Sequence, residues 1–378
     1  MFKILHVASF VGNIGDNASH MGLHNILKSI VKIPFTIDEM EIRRFYKNYN
    51  LPDKMMFDSQ FVHLANCYDL LIIGGGGFLD YWVANSRTGT TIDISKEDFD
   101  RLTVPTLITS IGSFPHKDIP EGNIEKFHDF LKQIFDKDNV RIAFRNDGSA
   151  DNIHRLFGDE FNPTTILDNG FFYKPKSDIR RLVSSEYVAI NTTLDQLKMK
   201  NLSRGILDIA SFENEMRRYV QFLIDNTNYQ IVFVPHIYQD MKAISEILSG
   251  INDFYIRTRI VIAPYIQGYE GCNLLMSIYN NASLVVGMRF HTNVCSAAMG
   301  VPLISLAALE RVEKAMKYIG LDNNVIPVDS SFSSEIIINK MNNIDTKNRL
   351  LEEKMKSTNK TYMKMFSELK LDKIINEL

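Results

Sequence analysis

Short apolar segments alternate with helical patterns along most of this 378-residue chain. Segments that are apolar on both faces and separated by helices are typical of a parallel sheet covered on both sides. Helical patterns near 17–31 and over Asn123–Asp136 lie between the first such segments. The first half is therefore predicted to be a doubly wound α/β domain. Its predicted strands are Lys3–Ala8, Leu70–Ile73, Thr106–Ser110 and Val140–Phe144.

The alternation begins again at residue 187 and predicts a second sheet of the same kind. We therefore expect two Rossmann-like, doubly wound domains that face each other across a cleft, a GT-B-like arrangement. The predicted domains are 1–175 and 186–332, followed by a helical C-terminal tail at 333–378, and ligands are expected at the carboxyl ends of the strands. The predicted linker is 173–185. The second set of strands is Tyr187–Asn191, Gln230–Pro235, Arg259–Ala263, Leu284–Gly287 and Pro302–Ser305, with helices near Ile206–Asn226, Ile237–Leu248 and Tyr269–Asn281.

Charge and cysteine content narrow the class of protein. A net charge of −3 argues against a nucleic-acid partner, whose usual footprint is a basic patch. The three cysteines are far apart and form no CxxC pair, so neither a disulfide framework nor a zinc site is predicted. The N-terminus lacks the pattern of a signal peptide, and no apolar run reaches the ~20 residues of a spanning helix. A cytoplasmic protein without metal is expected, with at most peripheral contact to the inner face of a membrane through the lysine-rich tail.

A glycine loop joins the first predicted strand to the first predicted helix. Its sequence is VGNIGDN, from Val11 to Asn17. Glycine permits a tight turn that brings backbone close to a ligand, and the amides of a helix N-terminus attract anions. Asn13, Gly15, Asp16 and Asn17 are therefore candidate substrate-binding residues, with Asp16 or Asn17 as the expected helix cap. The spacing is neither GxGxxG nor that of a P-loop, so a simple strand-to-helix turn is the alternative.

Four consecutive glycines end the predicted strand in DLLIIGGGGFLD. Each glycine that the turn does not need costs roughly 0.5–1 kcal/mol relative to alanine. A close approach of the backbone to a substrate or phosphate explains that cost better than packing, which makes Gly75, Gly76 and Gly77 candidate substrate-binding residues. Asp80 beyond them could bind a sugar hydroxyl or cap a helix.

Two further segments place arginines at the ends of predicted strands. Arg145 follows the strand Val140–Phe144, where its planar fork would suit a carboxylate or a phosphate, although an ion pair with a neighbouring aspartate is the alternative. In VVGMRFHTN, Arg289 and His291 are two residues apart and would share one face of an extended chain. A helix from Asn293 to Met299 would direct its N-terminus to the same place.

Weaker signals come from two other strand ends. His236, with Asp240 in VPHIYQD, and Asn191 in the segment NTT both follow predicted strands, where the residues of a cleft lie. Each is a candidate to contact a ligand, and a purely structural role at the strand end is the alternative. Thr292, between His291 and the following helix, is a further candidate substrate-binding residue.

Together these segments resemble the polysaccharide pyruvyltransferase family. The resemblance lies in GNIGDNA, DLLIIGGGGFLD, Arg145 followed by Ser149, VPHIYQD and VVGMRFHTNVCSAAMGVPLI, and extends from about residue 11 to residue 305. By position, Arg289 and His291 match the family's functional Arg-x-His, and Arg145 matches its strand-end arginine. The family commonly has aspartate directly after that arginine, whereas this chain has Asn146 and then Asp147.

The resemblance implies a transferase of surface-glycan synthesis, in capsule or exopolysaccharide. Phosphoenolpyruvate would be the donor and a saccharide, often lipid-linked, the acceptor, with a pyruvate ketal and phosphate as products. Arg289 and Arg145 would hold the two anionic groups of the donor, assisted by the glycine-loop amides. His291 is the candidate general acid, with His236 in reserve, since an unperturbed imidazole titrates near neutrality. No step demands a cofactor.

Two other functions fit the same residues. A nucleotide-sugar glycosyltransferase or epimerase of GT-B fold would hold a diphosphate with a glycine loop and an Arg/His pair at a helix N-terminus. A non-catalytic glycan-binding protein descended from such an enzyme is the third hypothesis. It is the weaker one, because pure sugar binders rely more on aromatic rings and carboxylates than on converging basic residues.

Overall fold

The computed structural model describes residues 1–176, 182–199, 208–346 and 349–375. They form two compact units, and each unit combines separate stretches of the chain. The first unit contains Met1–Phe10, Leu23–Asn169 and Lys354–Leu378, and the second contains Val11–Gly22 and Gly170–Glu353. Part of the predicted linker 173–185, namely 177–181, lies outside the described residues.

The sheet of the first unit has six parallel strands in the order β2-β1-β3-β4-β5-β6. All four strands predicted for this half exist, and β2 and β6 had no prediction. The order turns back beside β1, so β1 and β3 flank the topological switch point, where open parallel sheets bind ligands. The strands are β1 Phe2–Ala8, β2 Phe35–Glu41, β3 Leu70–Gly74, β4 Thr106–Ile111, β5 Val140–Arg145 and β6 Thr165–Ile166.

The sheet of the second unit also has six parallel strands, in the order β12-β11-β10-β7-β8-β9. Read from β9, this is the 3-2-1-4-5-6 strand order of the Rossmann fold, and its switch point lies between β7 and β10. The five predicted strands of this half exist, while β12 had no prediction. The strands are β7 Tyr187–Asn191, β8 Gln230–Phe233, β9 Ile260–Ile262, β10 Leu284–Gly287, β11 Leu303–Ala307 and β12 Val325–Pro327.

Helices follow most strands and cover the sheets, as expected for parallel strands that are buried on both faces. The predicted helix Asn123–Asp136 is found with the same bounds, and the first helix begins at Ile14 rather than near residue 17. The helices of the described residues are α1 Ile14–Ile30, α2 Ser59–Ala65, α3 Lys96–Asp100, α4 Asn123–Asp136, α5 Ser149–Phe157, α6 Ile209–Asn226, α7 Tyr238–Leu248, α8 Asp253–Arg259, α9 Gly268–Asn280, α10 Phe290–Ala298, α11 Glu310–Tyr318, α12 Ser334–Met341 and α13 Arg349–Glu368.

Helix α6 shows how the sequence pattern builds the core of the second unit. Phe212, Met216, Tyr219 and Leu223 recur at spacings of three and four residues and are fully buried against the sheet. Asn214 and Arg218, which lie between them, are exposed. Asp208 caps the helix by accepting the N–H of Ser211 at 3.1 Å. The strands beneath read as continuous apolar runs because both of their faces are covered.

The C-terminal helix α13 contributes a buried hydroxyl to the first unit. Tyr362 is fully buried; its hydroxyl donates to Asn169 Oδ1 at 2.6 Å and accepts from Thr109 Oγ1 at 2.7 Å. Burial raises the pKa of Tyr362, so the hydroxyl keeps its proton. These bonds connect α13 to the carboxyl end of β4. Among the described residues, no helix combines the length and the apolar character needed to cross a bilayer.

Candidate functional site

The switch point of the second sheet is built around Asn191, the last residue of β7. Asn191 lies opposite Gly287 of β10 in the parallel register. Its side chain accepts the backbone N–H of Arg289 at 2.9 Å and donates to the carbonyl of Val234, beyond β8, at 3.0 Å. One buried amide thus connects the carboxyl ends of three neighbouring strands. This edge of the sheet is where a Rossmann domain binds its ligand.

Helix α10 begins directly at this switch point. A Cβ at Gly287 would lie 2.7 Å from Thr292 Cγ2, so only glycine lets the first turn of the helix approach the strand this closely. Thr292 is fully buried in that contact. The positive end of the helix dipole therefore points towards the site, where it favours a negatively charged group.

Arg289, the residue that precedes α10, is held by two carboxylates. Its Nε donates to Asp240 Oδ2 at 2.8 Å, and its Nη2 donates to Asp240 Oδ1 at 2.6 Å. Nη2 also bonds Thr193 Oγ1 at 2.8 Å and Asp195 Oδ1 at 3.1 Å. The Asp240 carboxylate is itself held by the N–H of His236 at 2.9 Å. The arginine is thus fixed in one orientation before any ligand binds.

The charge of Arg289 is secured by these contacts. Burial alone would lower the pKa of its guanidinium, but the hydrogen bonds and charges of Asp240 and Asp195 outweigh burial and raise it. Among the described residues, its hydrogen bonds use Nε and Nη2, and Nη1 makes none of them. A ligand anion could therefore bond Nη1 without breaking the Asp240 pair.

His291 packs against the loop that opens α1. A Cβ on Gly15 would lie 2.7 Å from His291 Cβ and 2.8 Å from its Nδ1, so glycine is required here for the imidazole to fit. Asp16 Oδ1 lies 3.7 Å from the same Nδ1. Asn13, rather than Asp16 or Asn17, caps the helix, because its Oδ1 accepts the N–H of Gly15 at 3.0 Å. Asn17 is buried one position further along α1.

The expected shared face of Arg289 and His291 is not found. Arg289 is extended, but His291 is already the second residue of α10, so the two side chains leave the backbone in different directions. Arg289 contacts Asp240, whereas His291 contacts Gly15 and Asp16. The site is therefore lined by two separate polar clusters rather than by one basic pair.

His236 lies in a buried hydrogen-bonded group behind these residues. Its Nε2 is 2.8 Å from the Tyr279 hydroxyl and 3.2 Å from Thr292 Oγ1. Complete burial and the charges of Arg289 and His291 lower the pKa of His236 well below its ordinary value, so the ring is neutral at pH 7. Burial also raises the pKa of Tyr279, whose hydroxyl keeps its proton. The sequence gives no signal for Tyr279, which is an ordinary apolar position within α9.

Arg145 occupies a second buried cluster, in the first unit. Its Nε bonds Asp147 Oδ2, and its Nη1 lies 3.8 Å from Asp168 Oδ2. Asp147 also accepts the N–H of Ser149 at 3.1 Å, at the start of α5. The charges of Asp147, Asp168 and Asp80 raise the pKa of Arg145 against the opposing effect of burial. The ion pair with Asp147 is thus present, but it is buried rather than exposed.

Asn146, at the position where the family commonly has aspartate, has a backbone role here. Its Oδ1 accepts the N–H of Asp168 at 2.8 Å and so connects the end of β5 to the segment that follows β6. The neighbouring carboxylate, Asp147, binds Arg145. Asp80 Oδ1 accepts the N–H of Phe114 at 2.7 Å, which is a loop contact and not a helix cap.

Packing within the first unit is sufficient to explain the glycine run. A Cβ at Gly74 would lie 1.8 Å from the Thr109 carbonyl oxygen, one at Gly76 2.5 Å from the Phe78 ring, and one at Gly77 2.7 Å from Asp80 Oδ2. Gly75 has a φ of +78°, which side chains disfavour. Packing and backbone conformation therefore explain why glycine occupies these positions without a ligand. The loop adjoins Arg145 through Gly112, whose N–H donates to the Gly76 carbonyl at 2.8 Å.

The candidate residues therefore fall into two groups. Asn13, Gly15, Asp16, Asn17, Asn191, His236, Arg289, His291 and Thr292 belong to the second unit, and Gly75, Gly76, Gly77 and Arg145 belong to the first. The first of these groups meets around the switch point between β7 and β10.

A model of the polysaccharide pyruvyl transferase family matches residues 13–310, which is most of the chain. The chain belongs to the polysaccharide pyruvyl transferase family. Membership makes it a transferase and implies a saccharide acceptor. The matched segment includes every candidate residue named above. No curated protein is similar to the chain in sequence.

Several solved structures share the fold of this chain. The S. aureus MnaA–UDP structure has a TM-score of 0.56 at 10% identity, covering 98% of this chain and 98% of that one. UDP-GlcNAc 2-epimerase from Methanocaldococcus jannaschii has a TM-score of 0.55 at 11% identity, covering 93% and 95%. The Neisseria meningitidis enzyme bound to UDP-GlcNAc has a TM-score of 0.51 at 11% identity, covering 90% and 91%. TM-scores above 0.5 over nearly the whole chain show a shared fold, and the predicted GT-B-like fold class is confirmed.

Proposed function

We propose that this family member transfers the enolpyruvyl unit of phosphoenolpyruvate to a sugar hydroxyl of a cell-surface polysaccharide or its lipid-linked precursor. Phosphate is released and a pyruvate ketal is closed. The observation that carries the proposal is the cluster at the switch point of the second sheet. There a fixed arginine, an imidazole and a helix N-terminus occupy one edge. Such a set suits a small donor with two anionic groups.

Donor binding is assigned to the second unit. Nη1 of Arg289 would donate to one anionic group of the donor, and the N-terminal turn of α10 would face the other. Asp240 supports this assignment by holding the guanidinium rigid. A hydrogen-bonding group that is already in place loses little entropy when the anion binds. A donor contact by Arg145 stays a prediction from the sequence, and in the first unit its Nε bonds Asp147.

His291 is assigned as the general acid. A proton added to C3 of phosphoenolpyruvate makes C2 electrophilic, and a sugar hydroxyl oxygen bonds C2 and loses its proton. The bond from C2 to the phosphate oxygen then breaks. The second hydroxyl bonds C2 and loses its proton, which closes the ketal. One of the two hydroxyl protons restores the proton that His291 gave to C3, and the other leaves with phosphate.

His236 is assigned a positioning role instead of the reserve role of acid. Its lowered pKa means that little of it carries a proton at pH 7, and it is fully buried. Its bonds to Tyr279 and Thr292 fix the first turn of α10, and its N–H fixes Asp240. Replacing it would therefore act on Arg289 and α10 indirectly.

The test is phosphate release from phosphoenolpyruvate by the purified protein, with a panel of sugar acceptors. Acceptor-dependent release that His291→Asn abolishes, with donor binding retained in calorimetry, would support the proposal. Arg289→Ala leaves the Asp240 charge buried, so the double variant Arg289→Ala/Asp240→Ala is measured beside it. Near-normal turnover and donor affinity in that folded double variant would refute the role of Arg289 in binding the donor. Binding of UDP without binding of phosphoenolpyruvate would favour the sugar-nucleotide alternative.

A further inference from the structure

A cavity in the first unit lies outside both clusters described above. Its volume is about 430 Å³, within the range of about 300–1,000 Å³ that is typical of small-molecule sites. It is lined by the segment 46–49 after β2 and by residues that follow the glycine run, from Trp82 to Asp93. Gly77, the last glycine of that run, is part of its wall. All of these residues belong to one unit of the protein.

Partly exposed aromatic rings form one side of this cavity. Trp82, the single tryptophan of the chain, is half-buried there. Tyr46 and Tyr49 stand edge to face, with ring centroids 5.2 Å apart, and Tyr49 is 39% exposed. Aromatic rings that face a cavity instead of the core offer broad apolar faces to a ligand. The apolar face of a sugar ring is a ligand of that kind.

Charged groups stand beside the rings. The Asp93 carboxylate is 14% exposed and is held by the N–H of Arg87 at 2.7 Å and by Lys47 Nζ at 2.9 Å. These hydrogen bonds outweigh the effect of burial and lower the pKa of Asp93, so it is ionised at neutral pH. The Lys117 ammonium lies 4.9 Å above the Trp82 ring, on an exposed side chain that can rotate away. The cavity wall therefore presents Asp93 as a fixed hydrogen-bond acceptor and Lys117 as a movable hydrogen-bond donor.

We propose that this cavity binds the acceptor saccharide. The rings of Trp82 and Tyr49 lie against the apolar face of one sugar ring, and Asp93 and Lys117 bond its hydroxyl groups. The inference rests on the proposed transferase function and names the site of its acceptor. A diphosphate would need several uncommitted cations, and here Lys47 is already committed to Asp93. A nucleoside could also stack on Trp82, so that ligand becomes an arm of the test.

Trp82 makes the test direct, because all tryptophan fluorescence of the protein comes from this cavity. The full chain is titrated with the methyl glycosides of glucose, galactose, mannose and N-acetylglucosamine, and separately with UMP. A saturable change with at least one glycoside is expected. Tyr49→Ala and Lys117→Met should each weaken that binding about tenfold, or about 1.4 kcal/mol. Lys132→Met, an exposed lysine on α4, is the matched control and should leave it unchanged.

Two results would overturn the inference. One is a flat response to every glycoside, and the other is a saturable response to UMP alone. Phosphoenolpyruvate binding is measured by calorimetry on the same sample, so that the two proposals fail separately. If phosphoenolpyruvate binds and the tryptophan signal stays flat, the proposed acceptor site is refuted and the proposed transferase function stands. Glycoside binding that depends on Tyr49, without any donor binding, would keep the sugar site and count against the transferase.

Discussion

Replacing Gly15 with alanine isolates the contact that places His291. Gly15 lies in the first turn of α1 with an ordinary backbone conformation, so alanine there should stabilise the protein by about 0.4–1 kcal/mol if space allowed. Space does not allow it. The new Cβ would lie 2.7 Å from His291 Cβ, which is 0.7 Å closer than an ordinary contact of 3.4 Å. The contact is to Cβ, which cannot rotate away.

The magnitude follows from these two opposing effects. Overpacking costs typically about 1–3 kcal/mol, so after the entropic gain the net loss of stability is at most about 2.6 kcal/mol. Turnover should suffer more than stability, because a displacement approaching 1 Å can cost about 10²-fold in rate. We expect Gly15→Ala to fold, to melt slightly earlier, and to release phosphate about 10- to 100-fold more slowly.

The assay combines three measurements on one preparation. Urea unfolding gives the loss of stability, acceptor-dependent phosphate release gives turnover, and the imidazole resonances in a ¹H–¹³C spectrum report the displacement of His291. Gly250→Ala is the matched control, since its Cβ would also be too close, 2.5 Å from Arg217 Nε, but that side chain is long and flexible. Wild-type turnover in Gly15→Ala, with the His291 resonance shifted, would refute the role given to His291.

Three further predictions concern the buried charges. Asp240→Asn removes the charge partner of Arg289 and should raise the KM for phosphoenolpyruvate at least about tenfold, the effect of losing about 1.4 kcal/mol. Asp147→Ala leaves Arg145 short of a buried partner and should cost about 3–5 kcal/mol in urea unfolding. The pKa of His236 is lower in the native protein than its unfolded value of about 6.5. As the pH falls below 6.5, the unfolded state therefore gains a proton first, and the stability declines by up to about 2 kcal/mol at pH 5. His236→Gln should lack that part of the decline.

Each of these predictions has a result that contradicts it. An unchanged donor KM in Asp240→Asn would show that the guanidinium needs no charged partner to bind the donor. A loss below about 1 kcal/mol in Asp147→Ala would mean that Asp168 and Asp80 already hold Arg145. Equal pH slopes for wild type and His236→Gln between pH 7 and 5 would show that His236 titrates normally in the native protein.

The sequence predicted the central strands of both sheets, but of the four edge strands in the described residues it predicted only β9, Ile260–Ile262. Continuous apolar runs such as Leu70–Ile73 leave few alternatives to a central parallel strand. The missed strand Phe35–Glu41 is a sheet edge with a polar, partly exposed sequence, FTIDEME, which lacks that signal. Thr165–Ile166 and Val325–Pro327 are too short to show a period.

The sequence predicts which residues lie at the candidate site, but it does not predict which of them contact one another. Arg289, Asn191 and His236 were expected near one another because the carboxyl ends of parallel strands share an edge of the sheet. That Asp240 closes on Arg289 depends on how α7 packs, and no local pattern contains this information. The cavity around Trp82 was missed for the same reason, since its wall combines loops whose shapes periodicity does not determine.

The carboxylates around Arg289 limit how strongly the site attracts the donor electrostatically. Two carboxylates, Asp240 and Asp195, stand against the one guanidinium of Arg289, so the long-range attraction of this arginine for a polyanion is small. Donor affinity must then depend on short hydrogen bonds, at Nη1 and at the start of α10, rather than on an overall positive field. Lysine at position 289 would have one ammonium in place of a planar fork, and could not bond both oxygens of Asp240, Thr193 and a ligand together. The requirement for arginine in this site is therefore geometric as well as electrostatic.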